Sequence, residues 1–268
     1  MIVNNIQEKF KSLKEILRSL ESVMIAFSGG VDSTFLTKAA FDVLGNKAIA
    51  VTVVSEVHPK WEIDEAIEIA KKMGIEHKII ESSISDVPEF SKNPVERCYY
   101  CKRAIFSRLK DMANELGIKY VIEGSNFDDT GDFRPGMRAL EEMEIRSPLK
   151  EAGLLKSEIR ELSRQIGLPT WDKPSFACLA SRIPYGDEIN ETKLRAIADA
   201  EAFIMGLGIS QFRVRHHDLI ARIEVIDKDM KTIFDNKAQI VENFRKIGFT
   251  YVTLDLQGYR TGSMNEVL

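Results

Sequence analysis

The chain has 268 residues, 44% of them hydrophobic and 29% charged, with a formal net charge of −4 and a pI of about 5.7. That length accommodates one large domain or two modest ones, and the acidity argues against a surface built to grip nucleic acid. No apolar run reaches the ~20 residues that cross a bilayer, so no membrane partner is expected.

In chain order, the first twenty residues are charged throughout, with Ile and Leu at helical spacing. They lack the apolar core and cleavage site of a signal peptide, so a cytoplasmic protein is expected. Short Val- and Ile-rich runs at 23–27, 48–54, 77–81 and 119–123 read as strands buried on both faces. Helical patterns lie between them at 33–44, 60–73 and 102–116. A further helix over 155–167 has Ser157 as its candidate N-cap, with Gly167 and Pro169 to stop it. This alternation predicts an α/β fold with a doubly wound parallel sheet. From about residue 190 the pattern changes to a smaller α+β module. It comprises a helix at 191–206, strands at 211–215 and 219–226, helical patterns over 229–247 and a last strand at 249–256. His216, His217 and Asp218 fall at the expected turn between the first two strands. The loop 181–190, broken by Pro184 and Gly186, divides the chain into domains 1–185 and 186–268.

Directly after the first strand stands Ser28-Gly29-Gly30-Val31-Asp32-Ser33. The two glycines allow a tight turn with amide groups close to an anion, and the following helix aims its positive end at the same place. Neither the Walker A pattern nor the dinucleotide fingerprint is present. The hexapeptide resembles the PP-loop of the ATP pyrophosphatases, which cleave ATP between the α- and β-phosphates. That resemblance implies ATP and Mg²⁺ as cofactors, with Asp32 close to the metal and the phosphates. "EGSNFDD" (123–129) agrees with it: Gly124 permits close approach of a nucleotide, and Asp128 and Asp129 read as metal or substrate groups or as a solvated turn. "SPLKEAGLLKSEIRELSRQIGLP" (147–169) also resembles a segment of these enzymes.

Cys98 and Cys101 form a C-x-x-C at the start of a helical pattern, and Cys178 lies in a loop between Pro174 and Pro184. By residue type alone the pair is a zinc half-site, to be completed by Cys178 and one of His58, His77, His216 or His217, or a redox pair, and Cys178 alone reads as a buried, inert thiol. The stretches "DKPSFACLASRIPYG" (172–186), "DFRPG" (132–136) and "LDLQGYRTGSMNEVL" (254–268) resemble the LarE family. These are ATP-dependent sulfur transferases that prepare the nickel-pincer nucleotide cofactor. The resemblance spans essentially the whole chain. It implies adenylylation of a carboxylate of pyridinium-3,5-dicarboxylate mononucleotide, followed by displacement of AMP by sulfur. It further implies a [4Fe–4S] cluster on Cys98, Cys101 and Cys178, with one iron left open for sulfide. The alternatives are sacrificial transfer from Cys178 in a single turnover, a tRNA thiolase, and a non-catalytic nucleotide-binding regulator.

Arg213 and Arg215, two apart on a strand, and Arg182, four residues past Cys178, suit the phosphate and carboxylates of such a substrate. Glu201 and Glu224 read as their partners, as metal ligands, or as surface salt-bridge residues. Lys102 is a further candidate for a nucleotide phosphate. The resemblance implies as partners a small nucleotide, a sulfur donor and further copies of the chain in a trimer or hexamer.

Overall fold

Apolar runs set the sheet. The computed structural model describes residues 2–131, 135–174, 176–260 and 262–266. Its elements, in chain order, begin with α1 (Ile2–Leu20), β1 (Val23–Ala26), α2 (Val31–Leu44), β2 (Ala48–Val54), α3 (Lys60–Met73) and β3 (Glu76–Glu81). Next come α4 (Pro88–Ser91), α5 (Arg97–Glu115), β4 (Tyr120–Ile122), α6 (Pro135–Glu142), α7 (Pro148–Glu151) and α8 (Lys156–Gln165). The last are α9 (Glu191–Gly206), β5 (Phe212–His217), β6 (Ile220–Val225), α10 (Asp227–Asp235), α11 (Lys237–Ile247) and β7 (Tyr251–Leu254). Two compact units emerge. One is built from Met1–Ser55, Lys60–Val87 and Glu96–Ser175, the other from Glu56–Pro59, Pro88–Val95 and Phe176–Leu268. Among the described residues no helix is long and apolar enough to cross a membrane.

In the first unit the four strands are parallel and ordered β3-β2-β1-β4. Alternation along β1 explains why helices cover both faces. Val23 and Ile25 pack with Leu13, Leu17 and Leu20 of α1 and Phe35 and Leu36 of α2, while Met24 packs with Phe106, Leu109 and Ala113 of α5. Each of the larger side chains among these stabilises the fold by roughly 1.5–3 kcal/mol. Because β2 and β4 flank β1, the order reverses there, and the loops after β1 and β4 share the crevice at a topological switch point.

Several boundaries differ from the sequence reading. α2 begins at Val31 with Gly30 as N-cap, so Ser33 lies inside its first turn. α5 begins at Arg97 and takes the cysteine pair into its first turns. Ser157 does not cap α8. Glu158 Oε2 accepts the Leu155 amide at 2.8 Å, and Asp128 Oδ2 accepts the Lys156 amide at 2.8 Å. The helical stretch over 229–247 is two helices broken at Asn236.

In the second unit a three-stranded sheet runs β5-β6-β7, antiparallel between β5 and β6 and parallel between β6 and β7. His216 and His217 belong to β5 rather than to the turn, which passes through Asp218 at a φ of 51°. Phe212 and Val214 face a core with Ile204, Ile223, Phe244 and Phe249. That alternation sends Arg213 and Arg215 to the other face, which is buried as well. Residues 176–185, placed by sequence with the first domain, group with this unit.

Candidate functional site

The phosphate loop is held by close approach. Gly29 has a φ of +69°, and a Cβ there would lie 2.9 Å from the Ala66 Cβ of α3. A Cβ on Gly124 would lie 3.1 Å from the Ser33 amide nitrogen, so the loops after β1 and β4 meet backbone to backbone. The hydroxyls of Ser28 and Ser33 are 3.0 Å apart, and Ser33 Oγ donates to the Gly30 carbonyl at 3.2 Å. The amides that open α2 have no acceptor within their own helix, and Gly30 as N-cap offers them no side chain. This is a concavity lined by N–H and O–H donors at the positive end of a helix, suited to an anion.

Asp32 sits at its edge. Its Oδ2 is ion-paired to Lys156 Nζ, and its Oδ1 is buried with no hydrogen-bond partner among the described residues. Burial pushes the carboxyl above its usual range, and the Lys156 charge and hydrogen bond only partly oppose this. A buried carboxylate oxygen left over beside a phosphate cradle fits a divalent cation. Asp128 caps α8, and Asp129 Oδ2 accepts the Asn126 amide at 2.9 Å, so both shape the loop that carries Gly124. Glu123 is buried too, accepting from Ser125 Oγ at 2.8 Å and Ser147 Oγ at 2.5 Å. Lys102 Nζ lies 3.9 Å from the Glu123 carboxylate.

Cys98 is exposed and Cys101 half-buried, one turn apart on α5 and hence on one side of it. Tyr99 between them is buried, its hydroxyl donating to Glu142 Oε2 at 2.6 Å and its ring lying 4.1 Å from the Arg138 guanidinium. That pairing roots the first turn of α5 on α6. Cys178, half-buried, belongs to the second unit. Its carbonyl accepts from Arg182 Nη1 at 3.0 Å, and the next amide, of Leu179, donates to the Val57 carbonyl at 2.9 Å. Among the described residues, no three His, Cys, Asp or Glu side chains gather as a metal-holding group. Of the histidines considered as a fourth zinc ligand, His77 bonds Thr52 Oγ1 at 2.8 Å and His216 packs on Phe249.

The arginines of the second unit form a buried charged layer. Arg182 forks onto both oxygens of Glu201 at 2.9 and 3.0 Å, and Glu201 also accepts the Val214 amide at 3.0 Å. Arg215 Nη2 donates to Glu224 Oε2 at 2.7 Å and to Ser263 Oγ at 2.8 Å. Both glutamates are buried, so they are not surface salt-bridge residues. Arg213 lies between the rings of Phe176 and Tyr259, at 5.3 and 5.1 Å. Burial first, then the neighbouring Arg182 charge, push its pKa below the ordinary guanidinium value. Arg215 Nε is buried with no hydrogen-bond partner among the described residues. Crowded guanidiniums with a donor to spare accommodate an added anion.

Comparison with known proteins decides the family. The NAD synthase family matches residues 3–105. The pyridinium-3,5-bisthiocarboxylic acid mononucleotide synthase of Lactiplantibacillus plantarum is 35% identical over 261 residues, covering 97% of this chain and 95% of that protein. The chain belongs to the LarE family. An uncharacterised protein of Synechocystis is 41% identical over 98% of the chain and 99% of its own length. The glutamine-hydrolysing GMP synthase of Aeropyrum pernix is 24% identical over 67% of the chain and 38% of its own length.

Membership of the LarE family, with its PP-loop, implies ATP and Mg²⁺, and the donor-lined cradle and the spare Asp32 oxygen fit both. What sequence reading missed in this LarE chain is the company these residues keep. Lys156 lies in a helical pattern 124 positions from Asp32, and only the fold joins them. Glu123 and Tyr99 carried no signal beyond their neighbours in the motif. Part of "DFRPG" lies outside the described residues.

Proposed function

We propose that the chain is an ATP-dependent sulfur transferase acting on pyridinium-3,5-dicarboxylate mononucleotide in nickel-pincer nucleotide synthesis. The observation that carries this is near full-length identity to the Lactiplantibacillus enzyme, in a chain whose donor-lined loop meets Gly124 at the switch point. A carboxylate is a poor electrophile. Its oxygen attacks the α-phosphorus, the bond to the β-phosphate oxygen breaks, and pyrophosphate leaves. Ser28, Gly29, Gly30, Val31, Asp32 and Ser33 hold the departing pyrophosphate and its Mg²⁺. Gly124 lets the nucleotide approach. Arg213 and Arg215 receive the anionic groups of the substrate, while Arg182, occupied by Glu201, supports the Cys178 loop. Glu201 and Glu224 serve as partners of these arginines.

Sulfur then displaces AMP and a thiocarboxylate forms. We assign Cys98, Cys101 and Cys178 as ligands of a [4Fe–4S] cluster. The one-turn spacing of the α5 pair suits two thiolates of one cluster, and three-cysteine ligation leaves an iron open for hydrosulfide. The protein works as a homo-oligomer in the cytoplasm.

The test is iron and acid-labile sulfide per chain after anaerobic purification, with pyrophosphate release assayed on the dicarboxylate mononucleotide. About four of each per chain, with repeated turnovers on added sulfide, are expected. Substrate-dependent pyrophosphate release without iron, ending after one turnover, would make Cys178 the sacrificial donor. Absence of substrate-dependent release would remove the sulfur-transfer reading.

A further inference from the structure

The phosphate loop contains no lysine. We propose that Lys173 supplies the missing cation as a positioning residue, pinning the Gly29 carbonyl so that the Gly30 amide faces the phosphates. This rests on the reading that the loop holds ATP.

Lys173 Nζ donates to the Gly29 carbonyl at 3.1 Å and to Glu65 Oε2 at 2.7 Å, and it lies 6.0 Å from the centre of the Trp61 ring. Its side chain is 11% exposed. The segment that carries it is tied down from α8: Arg160 donates to the carbonyls of Trp171 and Lys173, each at 2.7 Å. The ammonium thus donates to a carbonyl and a carboxylate, with the face of an aromatic ring nearby. It acts through the loop.

Loop chemistry explains why such a pin is needed. In a trans peptide the C=O and N–H point opposite ways. Fixing the Gly29 oxygen on Lys173 turns the Gly30 N–H away from it, toward the side where Ser28 Oγ lies 3.4 Å distant, next to Ser33 Oγ. That is the concavity described above. The Gly29–Gly30 peptide has no Cβ on either side, so beyond the long bond from the Gly30 N–H to Ser28 Oγ at 3.4 Å, little else resists its rotation. A flipped peptide would present a carbonyl oxygen to the phosphates and repel them. Contact of Gly29 with Ala66 fixes where the loop lies, and Lys173 fixes which way this peptide faces.

The experiment is calorimetric titration of full-length Lys173→Met, Lys173→Arg and Glu65→Gln with Mg²⁺-pyrophosphate and, separately, with AMP. A charge-assisted bond to a loop carbonyl predicts pyrophosphate binding weakened about tenfold to a hundredfold in Lys173→Met. AMP, which lacks the β- and γ-phosphates, should bind within twofold of wild type. Lys173→Arg should restore most of the loss, and Glu65→Gln, which keeps the carbonyl contact, should stay near wild type. Unchanged pyrophosphate affinity in Lys173→Met overturns the proposal, as does equal loss of AMP and pyrophosphate. A Glu65→Gln loss as large as that of Lys173→Met also overturns it, since the ion pair would then be what matters. Wild-type protein that binds neither ATP nor pyrophosphate overturns the ATP reading together with this one. Tight wild-type binding matched by Lys173→Met overturns this one alone.

Discussion

Asp32 shows how a site residue is kept ready at some cost to the resting fold. Its carboxylate is buried, one oxygen is paired with Lys156, and the other has no partner among the described residues. Desolvation raises its pKa despite the lysine, so the ionised form is disfavoured in the folded state. A folded pKa above the unfolded one means that the folded state binds the proton more tightly. The ionised group therefore destabilises the fold above its folded pKa, and the penalty disappears once pH falls below the ordinary carboxylate range. Asp32→Asn should accordingly melt at a higher temperature than wild type at pH 7 without nucleotide, with the difference shrinking on acidification. The same variant should lose pyrophosphate release by about a hundredfold or more, because the carboxylate charge proposed to hold Mg²⁺ is gone. Thermal melting across pH and a pyrophosphate assay read the two effects separately. A variant less stable than wild type at pH 7 would mean that the Lys156 pair outweighs burial.

At the scale of elements, the turn bearing Cys98 and Cys101 depends on α6. Replacing the Tyr99 hydroxyl by hydrogen removes its 2.6 Å bond to Glu142 and keeps the ring beneath Arg138. Tyr99→Phe should cost about 1 kcal/mol in denaturant unfolding with an unchanged slope, and it should lower the iron retained per chain. Full iron retention would free the cysteine turn from α6. The sequence was informative about elements wherever apolar residues run together or recur with a regular period, as in β1, β2 and α3. Residues 77–81, expected to be buried on both faces, instead form the edge strand β3, none of whose residues is buried and where Ile79 is half exposed, because only one neighbour covers an edge. The sequence was also less informative where polar contacts set the boundary. α5 starts before its apolar period begins at Phe106, because its first turns bury Arg97 and Tyr99, with cysteines on either side of the tyrosine. The start of α8 is fixed by Asp128, a residue from another loop, so local capping rules pointed to Ser157 instead. α10 and α11 share a continuous apolar spacing through Ile233, Ile240 and Phe244, which hid the break at Asn236. The phosphate loop was readable because its glycines and hydroxyls are contiguous. The partners of Asp32, Gly29 and Arg215 were not, since they come from distant parts of the chain.

For the whole molecule, the question is how an acidic protein takes an anionic substrate. Its net charge is −4, so long-range attraction for a polyanion is absent, and its candidate anion-binding arginines are buried rather than spread over a face. Contacts of that kind act at short range inside a region that salt penetrates poorly. A small mononucleotide with one phosphate and two carboxylates would therefore be held by local geometry. A tRNA would need many surface phosphate contacts, and its affinity would fall about a thousandfold or more between 50 and 200 mM salt. The half-saturating concentration of the dicarboxylate mononucleotide should consequently change less than about threefold over that range, with maximal pyrophosphate release nearly constant. Steady-state assays at several salt concentrations, run with the mononucleotide and with bulk tRNA, make the comparison. Pyrophosphate release that depends on tRNA and collapses with salt would transfer the chain to tRNA thiolation. Release that depends on the mononucleotide and tolerates salt is what buried arginines, and not a charged surface, produce.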